Sequence, residues 1–231
     1  MSVGKPAGSD LARAIDYALI RPGATYADVR RICLEVRHYG FGGIVFLPVH
    51  CERAAGYVAG LDIRLVAAVG FPNGAFTTDG KVFEARDAIA HGATAIEYVV
   101  GVGALLSGNR DLVAREMAAM RAATDGRVLR ATLEASVLPD EEARFVCQLA
   151  AEAGVDFVVT STGFTDAETT DEDVRRLSGA AGPGVGICAT GGIRTLEVAR
   201  GLLGAGARLL RTSAAVAIAE ELAGERGGED A

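Results

Sequence analysis

Three carboxylates lie in short apolar segments that are typical of strands, and their side chains suggest proton-transfer chemistry. Asp16 stands at the start of one segment, Glu97 lies within a second and Glu134 ends a third. Tyr17 follows Asp16 directly and adds a phenolic hydroxyl. Carboxyl and phenol groups serve as general acids and bases when they reach a reacting atom. The sequence therefore predicts acid–base chemistry centred on Glu97, with the other three groups assisting.

A cysteine on another such segment offers a second kind of chemistry. Cys188 could act as a nucleophile if a neighbouring base formed its thiolate. Of the three histidines, only His50 lies just past a predicted strand, and nothing in the sequence places it beside Cys188. Because most cysteines on strands are small core residues, packing is the favoured interpretation and nucleophilic attack is the alternative.

Amines are almost absent from this chain. Lys5 and Lys81 are its only lysines, and arginine, which cannot form an imine, supplies the other positive charges. Imine chemistry needs an amine whose pKa is lowered by burial or by a cationic neighbour. Lys81 lies on the first turns of a predicted helix, where a surface or loop ion pair is the expected role. A relocated imine nucleophile is the alternative.

Eight short β-branched segments alternate with Ala/Glu/Arg-rich segments of helical periodicity. Strands are predicted near Tyr17–Ile20, Gly43–Leu47, Arg64–Val69, Ile96–Val100, Leu129–Glu134, Phe157–Ser161, Gly186–Thr190 and Arg208–Thr212. Helices are predicted near Tyr26–Tyr39, Cys51–Ala59, Thr78–His91, Asn109–Ala123, Pro139–Ala153, Asp171–Ser178 and Leu196–Leu203.

This even alternation without a linker predicts a single α/β domain over residues 1–231, folded as a closed (β/α)8 TIM barrel. Segments 1–9 and 224–231 are expected to be flexible. An open doubly wound sheet is the alternative, and it is disfavoured because no Gly-x-Gly-x-x-Gly follows the first strand. In such barrels the chemistry lies at the carboxyl ends of the strands, which is where the candidate residues fall.

Composition excludes several classes of function. The 231 residues carry a formal net charge of −7 and no Lys/Arg cluster, which argues against a nucleic-acid partner. No apolar run approaches the roughly 20 residues of a membrane helix, so no membrane partner is expected. The four cysteines show no metal or disulfide spacing. We expect a cytoplasmic protein without a metal or other cofactor.

Several motifs occur in an order that carries a family resemblance. Asp156-Phe-Val-Val-Thr-Ser-Thr-Gly-Phe164 is followed by Val185-Gly-Ile-Cys-Ala-Thr-Gly-Gly-Ile-Arg194. Gly70-Phe-Pro-Asn-Gly74, Lys81-Val-Phe-Glu-Ala85 and Gly103-Ala-Leu-Leu-Ser-Gly108 precede this pair, and Thr212-Ser213 comes after it. From about Asp16 to Leu222 the chain resembles the deoxyribose-phosphate aldolase family. The resemblance implies a barrel of the class I aldolase type and lyase activity.

The chain departs from that family at the mouth of the barrel. The resemblance implies that the imine-forming lysine falls at Val159 and the lysine that tunes it at Cys188. The family's acid–base aspartate falls at Glu97, its fifth-strand lysine at Arg130 and a polar second-strand residue at Leu47. Tyr17 replaces a histidine or threonine, whereas Asp16 and Glu134 match. Substitutions clustered at the mouth of a retained scaffold indicate a changed function more than decay.

Glycine-rich turns predict an anion site, because backbone amides at helix starts bind anions. In the family such turns hold the substrate phosphate, and the positions retained here are Thr162, Gly163, Gly191, Gly192 and Ser213. Arg211 stands where the family usually has glycine. Its guanidinium would either strengthen phosphate binding or block it and take a carboxylate instead. Val159 and Leu47 are expected to make the substrate pocket more apolar.

The sequence thus predicts an aldolase-derived enzyme that works without an imine. Cyclisation, dehydration or carbon–carbon cleavage of a carbonyl-bearing metabolite in specialised biosynthesis would fit. One alternative is a non-catalytic protein that binds a phosphorylated or anionic ligand. Another is a deoxyribose-phosphate aldolase with a relocated nucleophile. The expected partners are a small molecule and, from the family resemblance, further copies of the chain.

Overall fold

Parallel strands form a closed barrel in the computed structural model, which describes residues 10–229. Within that range eight strands pair in chain order, and β8 closes the barrel against β1. Their bounds are β1 (Ile15–Leu19), β2 (Gly43–Phe46), β3 (Arg64–Val69), β4 (Ala95–Val99), β5 (Val128–Thr132), β6 (Phe157–Val159), β7 (Gly186–Thr190) and β8 (Leu209–Thr212).

Helices connect the strands and surround the barrel. They are α1 (Asp10–Ala14), α2 (Tyr26–Tyr39), α3 (Cys51–Val58), α4 (Thr78–Ala90), α5 (Val102–Leu106), α6 (Arg110–Ala123), α7 (Asp140–Glu152), α8 (Asp171–Ala181), α9 (Leu196–Gly204) and α10 (Ala215–Glu229). A 3₁₀ turn at Pro48–His50 precedes α3. The predicted (β/α)8 barrel is confirmed, and the open doubly wound sheet is wrong.

Most element bounds lie within two residues of those predicted from the sequence, and three helices were not predicted. Helices α1 and α5 have five residues each, too few to show a helical period. Helix α10 combines Ala, Gly and Glu without a clear apolar stripe. It continues to Glu229, and the flexibility predicted for 224–231 stays a prediction. Residues 1–9, 230 and 231 lie outside the described range.

Side-chain caps fix where several helices begin, and so they fix the loops at the barrel mouth. Thr25 accepts a hydrogen bond from the Asp28 amide at 3.2 Å, and the Asp28 carboxylate accepts one from the Thr25 amide at 2.9 Å. Thr170 and Asp173 form the same reciprocal pair at the start of α8. Such capping boxes satisfy amides that have no partner within the helix.

The two faces of each strand have different surroundings. In β1, Ile15, Tyr17 and Leu19 belong to the large apolar core shared with the helices. Side chains alternate along a strand, so Asp16 and Ala18 face the lumen instead. Two smaller apolar clusters occupy that lumen: Ala18, Val45, Val66, Ala68 and Ala95 form the first, and Val159, Cys188 and Leu209 form the second.

Candidate active site

Two ion pairs cross the barrel lumen. The Arg130 Nη1 atom on β5 lies 2.6 Å from Asp16 Oδ2 on β1. The Arg211 Nη1 atom on β8 lies 2.7 Å from Glu97 Oε1 on β4. In a barrel that closes in chain order, β1 faces β5 and β4 faces β8. Both contacts therefore run through the interior, and all four side chains are at most 1% exposed.

The two pairs are links of a longer alternating chain of charges. Arg130 Nη1 also lies 3.7 Å from Glu97 Oε2, which joins the first pair to the second. At the other end, Arg64 donates to Asp16 Oδ1 through Nη2 at 2.8 Å and through Nε at 3.2 Å. The order along the lumen is Arg64, Asp16, Arg130, Glu97 and Arg211. Each carboxylate is shared between two guanidinium groups.

Glu97 does not have the apolar surroundings predicted for it. Its Oε1 atom accepts hydrogen bonds from Arg211 at 2.7 Å and from the Thr132 hydroxyl at 3.3 Å. Its Oε2 atom has no hydrogen-bond partner in the described part of the chain. Of the two ionic contacts of Glu97, the one with Arg130 is the longer. Arg130 and Arg211 supply two positive charges to a lumen that contains no described lysine.

Val159 and Cys188 are neighbours on β6 and β7 and pack with Leu209. Both are fully buried and neither lines the cavity described below. Burial raises the pKa of the Cys188 thiol to about 12, and nearby Arg130 offsets this only in part. A thiol with that pKa stays protonated near neutral pH, so the contacts favour packing. A catalytic role for Cys188 remains a prediction without support from them.

All four cysteines are expected to resist alkylation in the folded protein. They are buried, and burial raises the pKa of Cys33 to about 11 and those of Cys51, Cys147 and Cys188 to about 12. Because the thiolate is the reactive form, iodoacetamide at pH 8 should label the native chain roughly a hundredfold more slowly than the urea-unfolded chain. Peptide mapping by mass spectrometry gives the rate for each site. Fast labelling of Cys188 alone would instead identify it as an activated nucleophile.

Glu134 holds the turn that follows β6. Its Oε1 atom accepts from the Thr162 amide at 2.9 Å and also contacts the Thr162 hydroxyl. Its Oε2 atom accepts from the hydroxyls of Ser161 at 3.1 Å and Thr165 at 3.3 Å. Both oxygens are occupied by hydrogen bonds to one loop. This geometry makes Glu134 a positioning residue, and its predicted catalytic role gains no support from it.

A cavity of about 410 Å³ opens at the carboxyl ends of β1, β6, β7 and β8. Its volume is in the range of about 300–1,000 Å³ that is usual for small-molecule sites. The predicted binding residues that line it are Thr162, Gly163, Gly191, Gly192, Arg211 and Ser213. Val159 and Leu47 were also predicted to bind substrate but do not line it. The predicted anion site thus coincides with the cavity, whereas the predicted apolar lining does not.

Glycine is required in the turn after β7. Gly191 and Gly192 have φ angles of 101° and 78°, in the left-handed region that side chains disfavour. A Cβ atom on Gly192 would also lie 2.7 Å from the Cβ atom of Glu168. The bare backbone therefore forms this side of the cavity, just ahead of helix α9.

Of the candidate acids and bases, only Tyr17 lines the cavity. Its ring packs edge-on against Phe41, with centroids 5.9 Å apart, on the helix side of β1. Burial raises the pKa of its phenol, while a hydrogen bond with Arg31 lowers it in part. Asp16 and Glu97 lie deeper in the lumen. Tyr17 therefore does not meet Glu97, and its predicted assistance to that residue gains no support.

Arg211 lies between Glu97 and the cavity. Its Nε atom donates to the Thr190 hydroxyl at 3.2 Å, and its Nη2 atom donates to the Ser161 carbonyl oxygen at 2.7 Å. The Phe71 ring covers the guanidinium, 5.7 Å from its centre, and contacts Phe164 edge-on at 5.1 Å. The arginine at this site is therefore buried and held by β4, by β7 and by the turn that follows β6.

Lys81 is a buried residue outside the barrel wall. Its Nζ atom lies 2.6 Å from Glu116 Oε2 and donates to the Val99 carbonyl oxygen at 2.8 Å. Glu116 also accepts from the Gly101 amide at 3.1 Å. Burial lowers the pKa of the amine, an effect that Glu116 partly offsets. The ion-pair prediction is correct, but its location on the surface or in a loop is wrong because Lys81 is fully buried.

Several known proteins that resemble this chain are named as aldolases. One from Streptococcus sanguinis, named deoxyribose-phosphate aldolase, is 42% identical over 217 residues, which cover 93% of this chain and 99% of the relative. Another with that name, from Geobacillus sp. strain WCH70, is 38% identical over 213 residues, covering 92% and 96%. The chain belongs to the deoxyribose-phosphate aldolase family. No protein-family model matches it.

Solved structures agree with membership in the deoxyribose-phosphate aldolase family. A tetrameric deoxyribose phosphate aldolase from Aeropyrum pernix superposes with a TM-score of 0.86 at 34% identity, covering 93% of this chain and 92% of that one. An aldolase named QR15 gives a TM-score of 0.89 at 31% identity, covering 94% and 97%. The family's barrel is thus retained over nearly the whole described chain.

Some residues at this family member's site were missed from the sequence. Three arginines line the cavity: Arg21, Arg31 and Arg194. Arg21 follows β1 and Arg194 follows β7 so closely that their positions in the sequence could have identified them.

No group of three or more His, Cys, Asp or Glu suited to a metal occurs among residues 10–229. In the same range, every helix is too short or too polar to cross a bilayer.

Proposed function

We propose that this member of the deoxyribose-phosphate aldolase family is an enzyme that acts on a small carbonyl-bearing anion without an imine. The supporting observation is the location of Lys81, the one lysine among the described residues. It lies outside the barrel wall, and its Nζ atom donates a hydrogen bond to Glu116 Oε2 at 2.6 Å. The position that the family resemblance assigns to the imine lysine is Val159, which is fully buried among apolar neighbours.

Glu97 is the proposed proton-transfer group. Its Oε2 atom accepts no hydrogen bond from residues 10–229, and its Oε1 atom accepts one from Arg211, which lines the cavity. A carboxylate beside a guanidinium can take a proton from carbon while the cation stabilises the oxyanion that forms. An enolate is common to the three candidate reactions: in aldol-type cyclisation and in dehydration it forms when Glu97 takes the proton next to the carbonyl. In carbon–carbon cleavage Glu97 takes the proton of the β-hydroxyl group, and the enolate forms as the bond breaks. Specialised biosynthesis is the setting proposed for it.

The mouth cavity is the proposed substrate site. Glycine backbone after β7, together with Arg211, gives it the donors that a phosphorylated or other anionic metabolite needs. We propose that the protein works in the cytoplasm as an assembly of identical subunits, as its tetrameric relative from Aeropyrum pernix suggests. No cofactor is required by the proposed chemistry.

A non-catalytic binding protein is the second candidate. It is favoured by the burial of Glu97, which is 1% exposed and separated from the cavity by Arg211. A ligand in the cavity would then meet the guanidinium and the glycine turns but no carboxylate of the described residues. The two candidates differ in whether a bound ligand is changed.

Exchange of carbon-bound protons in D₂O distinguishes these candidates. Wild-type protein is expected to exchange the protons next to the carbonyl of dihydroxyacetone phosphate or glyceraldehyde 3-phosphate, as followed by NMR. Glu97→Gln keeps the shape of the side chain and should slow exchange by about 10²–10⁴-fold. Glu197→Gln, at an exposed site on α9, is the matched control and should exchange normally.

Two outcomes would count against the proposal. Unchanged exchange in Glu97→Gln would remove Glu97 from the mechanism, and no exchange by the wild type would favour the binding protein. Borohydride reduction with 2-deoxyribose 5-phosphate tests the relocated nucleophile. We expect no adduct on Lys81, because its amine is bonded to Glu116 and Val99 away from the cavity.

A further inference from the structure

The mouth cavity is cationic in a chain that is acidic as a whole. Arg21, Arg31, Arg194 and Arg211 line it, and no Asp or Glu does among the described residues, although the chain has 30 acidic and 23 basic side chains. The first three arginines are rim residues with exposed side chains, and each has a carboxylate partner outside the cavity. Arg211 differs from them because it is 1% exposed.

Arg211 ends the alternating chain of charges in the lumen. That chain begins at Arg64, whose side chain is 30% exposed and partly solvated. It contains three arginines and two carboxylates, so each carboxylate is shared and both ends are cationic. Water screens the Arg64 end, whereas the Arg211 end opens only on the cavity. An anion placed in the cavity would complete the alternation.

The guanidinium of Arg211 has two N–H groups that donate to no described residue. An arginine side chain has five N–H bonds. Three are used within the chain: Nε by Thr190, Nη1 by Glu97 and Nη2 by Ser161. One N–H therefore remains on each terminal nitrogen. The Phe71 ring covers the guanidinium at 5.7 Å, so a ligand would be bound at the edge of the group with little competition from water.

Glycine backbone forms a second anion-binding region in the same cavity. Gly191 and Gly192 line the cavity in the turn after β7, where successive residues with left-handed φ angles turn bare backbone toward a ligand. Backbone of this kind suits a phosphate, while a guanidinium edge suits a planar carboxylate. The guanidinium of Arg211 and the glycine turn line the same cavity of about 410 Å³.

From this arrangement we infer that the ligand is a small acid with two anionic groups. A carboxylate binds the edge of Arg211, and a phosphate binds the glycine turn. Arg211 thereby selects a phosphorylated carboxylic acid over a neutral phosphorylated sugar or aldehyde. The inference rests on the proposed function, because it takes the mouth cavity as the substrate site, but it depends on binding alone.

Calorimetry with two matched probes tests the inference. 3-Phosphoglycerate and glycerol 3-phosphate carry the same phosphate and differ in a carboxylate that replaces a hydroxymethyl group. Wild-type protein should bind 3-phosphoglycerate at least about tenfold more tightly, as expected for charge-assisted hydrogen bonds. Equal affinity for the two probes, or no binding of either, would overturn the inference.

Variants assign the preference to Arg211. Arg211→Met with Glu97→Gln removes one charge of each sign and so avoids a buried unpaired carboxylate. It should bind both probes equally while its thermal transition shows that it is folded. Arg211→Lys keeps the charge, loses the paired donors and should give an intermediate ratio. Arg115→Met, at an exposed site on α6, is the control and should keep the full preference.

A preference that survives in the double variant would place the carboxylate site elsewhere and refute the role of Arg211. Because no turnover is measured, this result is separate from the exchange experiment on Glu97. The exchange experiment can fail while calorimetry still shows a preference for the ligand with two anionic groups. Calorimetry can also show no preference while proton exchange still depends on Glu97.

Discussion

Lys81→Met is expected to lower the free energy of unfolding by about 3–5 kcal/mol, which is the usual cost of leaving one partner of a buried ion pair without the other. Lys81 is fully buried and the Glu116 side chain is 5% exposed. Removing the amine leaves the Glu116 carboxylate with one described donor, the Gly101 amide. Urea unfolding followed by circular dichroism measures the loss.

The double variant Lys81→Met/Glu116→Gln is the control for this result. Its neutral amide can still accept from the Gly101 amide, so most of the lost stability should return. This recovery would show that the cost comes from an unpaired charge and not from lost volume. Full stability of Lys81→Met alone would contradict the buried pair and reopen the question of what the amine does.

A triple variant with Val159→Lys, Cys188→Lys and Arg211→Gly is expected to form an imine, which we do not expect of the wild type. The substitutions place amines at the two positions where the family resemblance puts lysines and restore the glycine that Arg211 replaces. Arg211 is replaced by glycine because its guanidinium fills the top of the lumen between Glu97, Ser161 and Thr190. Borohydride reduction with 2-deoxyribose 5-phosphate should then give a stoichiometric adduct, measured by intact mass.

The matched control retains Arg211 beside the two new lysines. We expect little adduct from it, because the aldehyde cannot pass the guanidinium and a third cation opposes the two new ones. Equal trapping by both variants would show that Arg211 does not close the lumen. An absence of adduct from a folded triple variant would show that the scaffold has lost more than its amines.

The barrel could be predicted from the sequence because its signals are local. β3 and β7 coincide with their predicted bounds, and α2 does too. Each is an apolar run or stripe between turn residues, so neighbouring residues suffice to define it. Helices of five residues such as α1 carry no such signal.

The site was predicted less well because its contacts join distant parts of the chain. Position 211 was identified as an arginine in place of glycine, but its bond to Glu97 spans 114 residues of sequence. Nothing near either residue indicates that the side chain reaches across the lumen. Lys81 was misplaced for a similar reason, since its partner Glu116 belongs to another helix. Side-chain reach and burial are properties of the assembled barrel.

The alternating charges in the lumen also limit how such a protein can evolve. Replacing Asp16 or Glu97 by a neutral residue removes one of the two carboxylates that three guanidinium groups share, at a cost of about 3–5 kcal/mol. Mutations there are therefore tolerated mainly in compensating pairs. Arg211 illustrates the point: because it brings a cation into this lumen from β8, a substitution that removes another cation there does not leave Glu97 without an ionic partner.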